Sequence, residues 1–111
     1  MRVIRTSTAA VDRRETRRYN VDLPGRLTTA GGGVLEVRVV DLSAGGARIQ
    51  GAATLPVGTR GTVLLRGLAV DLPCTVHETD GFMLGVTFEP DQAQAAALRS
   101  MLERLGSQLA A

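Results

Sequence analysis

The sequence predicts an all-β domain of six short antiparallel strands, a barrel or a sandwich, followed by one amphipathic helix. Three observations carry that expectation. From Tyr19 onward the chain breaks into short pieces rich in Val, Leu, Ile and Thr; glycine-containing turns separate them; and the apolar period lengthens from two to about 3.6 residues only beyond Pro90. At 111 residues the chain is large enough for one core and too small for two. With one tyrosine, two phenylalanines and no tryptophan, that core must be built from aliphatic side chains and methionine.

Residues 1–18 lack a sustained apolar period and are rich in Arg, Thr and Ser, so a flexible N-terminal arm is expected there. The barrel is expected over residues 19–90. Its first strand, "YNVDLPGRLTT", alternates Tyr19, Val21 and Leu23 on one face, and Pro24-Gly25 implies a bulge or an edge position. "AGGG" is a turn. The second strand, "VLEVRVVDL", sets Leu35, Val37 and Val39 against Glu36 and Arg38. After "DLSAGG" a short third strand, "ARIQ", leads through the loop "GAATLPVG" to "TRGTVLLRG". There Arg66-Gly67 turns into the run "LAVDLPCTVHETD", and after the "TDG" turn "FMLGVTFE" closes the set, with Phe82 expected in the core. In residues 91–111, Leu98, Met101, Leu102, Leu105 and Leu109 form one stripe of a helix expected to pack on the barrel.

Charge is distributed unevenly. The net charge is only +2, all thirteen basic residues are arginine, and six of them (Arg2, Arg5, Arg13, Arg14, Arg17, Arg18) lie in the first eighteen positions. Guanidinium stays charged, forks onto two acceptors and stacks on flat rings. A single cysteine, Cys74, excludes an internal disulfide and fits a reducing compartment, and one histidine leaves no metal-ligand cluster. No stretch approaches the ~20 apolar residues of a membrane span, and the N-terminus lacks the apolar run of a secretory leader. A cytoplasmic, soluble protein without metal or cofactor is expected.

Two segments stand out, "RRETRR" (Arg13 to Arg18) and "DLSAGG" (Asp41 to Gly46). A strand leaving residue 19 and an antiparallel partner returning by residue 41 bring them to the same end of the fold. In "DLSAGG", Asp41 and Ser43 are suited to Asx and Ser turns, while Gly45 and Gly46 permit positive φ and close approach by a ligand. The same loop is equally consistent with a plain strand connector. Beside arginines it offers cations for phosphates, a carboxylate for base N–H donors and a hydroxyl, the components of a nucleotide site.

The spacing Arg14-x-x-x-Arg18, followed one strand out and one back by Asp41-x-Ser43-x-x-Gly46, resembles the signature of the PilZ domain, a bacterial receptor for cyclic di-GMP. "GVTF" (Gly85 to Phe88) resembles that family's last strand, and the likeness covers about residues 12 to 90. It implies a six-stranded antiparallel split β-barrel. It implies further that Arg14 and Arg18 hold phosphate oxygens and the O6/N7 edge of guanine, with Arg13 as a further contact and Arg17 as a solvated spectator. Asp41 would accept from guanine N1–H and N2–H, Ser43 would bond ligand or loop backbone, and Gly46 would hold the turn open. The ligand would be cyclic di-GMP, and the output a separate effector protein controlling motility, surface or exopolysaccharide behaviour.

Other readings predict other features. A small basic barrel binding nucleic acid calls for aromatic platforms and basic residues along a strand face, whereas here aromatics are few and acids are dispersed. An enzyme needs a nucleophile beside a base; His77, Glu78 and Cys74 lie on one strand without a same-face pairing, so His77 is expected to be structural and half-buried and Cys74 a core residue. A structural adaptor would use the helix and leave the arginines solvated.

Overall fold

Six strands close on themselves in the computed structural model, which describes residues 17–51 and 55–110. They are β1 (Tyr19–Thr29), β2 (Val34–Leu42), β3 (Gly46–Gln50), β4 (Arg60–Leu65), β5 (Asp71–Thr79) and β6 (Met83–Phe88); the helix α1 (Gln92–Ala110) follows. Every pair is antiparallel, and the hydrogen-bonded order around the barrel is β1-β2-β3-β6-β5-β4, closing on β1. The barrel alternative is therefore the one realised, and each of the described strands is paired on both sides.

Alternation decides which side chains enter the core. In β2, Val37 and Val39 are buried while Glu36 and Arg38 face solvent; in β5, Leu72, Cys74 and Val76 point inward. Leu27, Ile49, Val63, Leu65 and Leu84 fill the rest. From α1, Leu98, Met101 and Leu102 join the same cluster, with Leu105 half-buried beside them. The helix begins with a reciprocal cap: Gln94 N–H donates to Asp91 Oδ1 and Asp91 N–H donates to Gln94 Oε1, both at 2.8 Å.

Three expectations change. Pro24-Gly25 marks neither an edge nor the bulge: β1 is paired on both sides, and its irregularity lies earlier, between Asn20 and Leu23. Pro24 sits one residue before the β1–β4 ladder starts at Gly25, so its missing N–H falls outside that ladder. The run from Leu68 becomes strand only at Asp71, because Gly67 turns the chain at φ +88° and Leu68 N–H bonds Leu65 O; Leu68 is buried all the same. Phe82 is not in the core. It is 81% exposed, since Asp80 and Gly81 form the hairpin turn and β6 begins only at Met83.

The sheet departs from regular pairing at three places: Asn20/Leu23 in β1, Val39/Asp41 in β2 and Val76/Glu78 in β5. In each, one strand carries an extra residue against its neighbour, which re-aims side chains locally. The β3–β6 ladder between the last two is regular.

Candidate functional site

The register that pairs β1 with β2 sets Tyr19 opposite Leu42 and Asn20 opposite Asp41. Arg18, just before β1, thus stands beside Asp41 across 23 positions of sequence, with Nη1 3.5 Å from Oδ2. The arginine is two-thirds exposed and the carboxylate mostly covered. The other oxygen, Asp41 Oδ1, is buried and has no hydrogen-bond partner. An orphaned carboxylate oxygen costs about 1–3 kcal/mol, more than a merely structural position usually retains. Arg17 is exposed as expected, and its guanidinium lies 5.9 Å from the centroid of the Tyr19 ring.

The loop after β2 is held by Ser43. Its Oγ accepts from the N–H groups of Gly45 and Gly46 at 3.2 Å each and donates to Gly46 O at 3.3 Å, while Ser43 N–H bonds the same carbonyl at 2.9 Å. The Ser turn is therefore present. Asp41 makes no Asx turn, and its side chain accepts its one bond from Arg18. The glycines also differ from expectation, because neither Gly45 nor Gly46 adopts positive φ. Gly46 is required for another reason: a Cβ there would lie 2.2 Å from the main-chain oxygen of Val86 on β6. At Gly45 a Cβ would meet nothing within 4 Å.

These residues form one wall of an open cleft of about 280 Å³ on the outer face of the barrel. Arg18, Asp41, Ser43 and Gly46 all line it, so the two segments singled out in the sequence meet at a single site. Cations and hydrogen-bond acceptors face the same space, which suits a ligand with both anionic and N–H donor groups. A family model for the PilZ domain matches residues 12–105, which is most of the chain. The chain belongs to the PilZ family. Among solved structures, the PilZ domain of CeSA from a cellulose-synthesizing bacterium superposes with a TM-score of 0.68 at 21% identity, covering 81% of this chain and 98% of that one. An uncharacterized Legionella protein gives a TM-score of 0.60 at 14% identity, with 86% and 99% covered. At these identities the likeness is one of fold. No curated protein is significantly similar in sequence.

The match runs past residue 90, so most of α1 belongs to the PilZ region together with the barrel. Arg13 and Arg14, the remaining expected contacts, lie outside the described residues. Reading the sequence alone misses the far wall of the PilZ cleft, which is made by Arg48 on β3, His77 and Glu78 on β5, and Gly85 and Thr87 on β6. Arg48 has a signal, since it alternates with buried Ala47 and Ile49 directly after the loop. His77 is exposed rather than half-buried, turned outward at the β5 bulge.

Cys74 points the opposite way, into the core at 2% exposure, so it forms no nucleophile–base pair with His77. Burial, with a smaller contribution from the Glu89 carboxylate, pushes its thiol from 9.0 up to about 11. The folded thiol stays protonated where the unfolded one ionises, so this contribution to stability is intact below about pH 9 and is lost as pH rises toward about 11. Ellman's reagent at pH 8 should react with Cys74 only after denaturant is added, and the urea midpoint should fall between pH 8 and pH 10. Prompt labelling of the native protein would contradict this placement.

No helix among the described residues is long and apolar enough to cross a membrane.

Proposed function

We propose that this chain is a cyclic di-GMP receptor of the cytoplasm, and not an enzyme. The observation that carries the reading is the carboxylate of Asp41: one oxygen faces Arg18, and the other is buried without a partner beside an open cleft. A guanine edge presents the two adjacent N–H donors, N1–H and N2–H, that such an acceptor lacks. Membership of a family of cyclic di-GMP receptors supports the same ligand.

In this mechanism Arg14 and Arg18 hold phosphate oxygens and the O6/N7 edge of guanine, and Arg13 adds a contact or stacks on a purine face. Ser43 and Gly46 keep the loop in the shape that aims Asp41. The dianionic ligand draws the N-terminal arm over the cleft, and ordering the arm consumes on the order of 2–5 kcal/mol of the gross binding energy. The surface so formed is read by a separate effector protein, in control of motility, surface properties or exopolysaccharide. A nucleic-acid interface has less support, since Arg26, Arg38 and Arg48 on the strands each face an acid, at 2.8, 2.6 and 3.8 Å.

Calorimetric titration with cyclic di-GMP, GTP, cyclic AMP and a short oligonucleotide tests the reading. Saturable binding of cyclic di-GMP alone is expected; binding of the oligonucleotide instead, or of none of the four, would overturn it. NMR relaxation of residues 1–18 should show the arm losing amplitude when ligand is added.

A further inference from the structure

The cleft's far wall carries a second carboxylate with no assigned task. Across four adjacent strands the register sets Asp41 beside Arg48, Arg48 beside Gly85, and Gly85 beside Glu78. Neighbouring strands are about 4.8 Å apart, so the backbones of Asp41 and Glu78 stand roughly 14 Å apart along the curved sheet. Between them lie one guanidinium and one glycine without a side chain. Regular alternation after buried Val76 would send His77 outward and Glu78 inward; the extra residue at the bulge leaves both exposed. Both cover the same spot: a Cβ on Gly85 would lie 3.0 Å from His77 Nε2 and 3.0 Å from Glu78 Oε1.

Glu78 has no ion-pair partner among the described residues, because Arg48 turns to Asp80 at 3.8 Å. An unengaged acceptor thus lines the opposite end of the cleft from Asp41. We propose that Glu78 is a second base-reading carboxylate, accepting N1–H and N2–H of a further guanine at the far wall. The proposal rests on the cyclic di-GMP reading and extends it to specificity. A carboxylate only accepts, and guanine offers it two neighbouring donors, whereas adenine presents a single amino donor beside an acceptor nitrogen. A site with a carboxylate at each end therefore prefers two guanines to one guanine and one adenine.

The test is calorimetry of the full chain with cyclic di-GMP and with the mixed guanine–adenine cyclic dinucleotide, for wild type, Glu78→Gln and Asp41→Asn. Wild type should favour cyclic di-GMP. Glu78→Gln should weaken cyclic di-GMP binding about tenfold and shrink or reverse the preference, since glutamine both donates and accepts. Circular dichroism melts of the variant should match wild type. If Glu78→Gln keeps both affinity and preference while Asp41→Asn loses binding, the role given to Glu78 is overturned and the receptor reading stands. If wild type binds neither dinucleotide, both fall together.

Discussion

The Asp41→Asn substitution should lower cyclic di-GMP affinity by roughly 100-fold while leaving the ligand-free protein at least as stable as wild type. The two effects have one cause. Asp41 Oδ1 is buried without a donor, and Oδ2 has only Arg18 at 3.5 Å, a long contact to a largely exposed partner that contributes little. The free protein therefore keeps one buried carboxylate oxygen without a donor, and the neutral amide leaves a weaker acceptor there. A gain of up to about 1 kcal/mol is expected, equivalent to a melting temperature several degrees higher for a domain of this size. In the complex the balance reverses. The substituted side chain would present an amide N–H₂ group where guanine brings its own N–H donors, leaving donors opposed and buried, and a good bidentate base contact is worth about 1–3 kcal/mol. Calorimetry and thermal melts on one preparation measure both sides. A lower melting temperature with unchanged affinity would make Asp41 a structural residue.

Gly46→Ala should destabilise the fold by about 3 kcal/mol or more, whereas Gly45→Ala, one position away, should cost a few tenths. At Gly46 the added methyl would meet Val86 O at 2.2 Å, and a main-chain oxygen within a ladder cannot swing aside as a side-chain tip can. Gly46 pairs with Thr87, so relief requires the β3–β6 seam to part at the floor of the cleft. Gly45 lies on the exposed side of the loop, and its Cβ would have open space. Urea denaturation separates the two variants. If Gly45→Ala folds normally yet binds cyclic di-GMP more weakly, the open space above it is where the ligand approaches. Equal stability of the two variants would contradict the close approach of β3 and β6.

Much of the barrel was legible because its strands sort their side chains by face. Val37 and Val39 against Glu36 and Arg38, or Val63 and Leu65 around Leu64, mark strands with one buried side. The meeting of Arg18 with Asp41 followed from counting residues out along one strand and back along the next. The other wall of the site could not be read in this way. After Val76 the chain runs "HETD", with no apolar residue to reveal that the alternation has shifted, so the bulge that turns both His77 and Glu78 outward leaves no mark in the sequence. Phe82 misled for a related reason: its hydrophobicity suggested a strand start, but the hairpin turn had already taken that position. At Gly46 the sequence suggested a constraint from its own dihedral angles, whereas the constraint in the structure comes from a neighbouring strand 40 positions later.

The same β3–β6 seam has a kinetic consequence. Ile49 pairs with Leu84 and Gly25 with Leu65, so both the floor of the cleft and the closure of the barrel join segments 35 to 40 positions apart. Loop-closure entropy must be met before such pairings return any stabilisation, which places this chain among slower-folding topologies. A nascent chain that has made the arginine arm and the Asp41 loop still has no floor beneath its cleft until β6 has been synthesised and docked. On the proposed reading, competence to bind ligand would then arise only after β6 has docked.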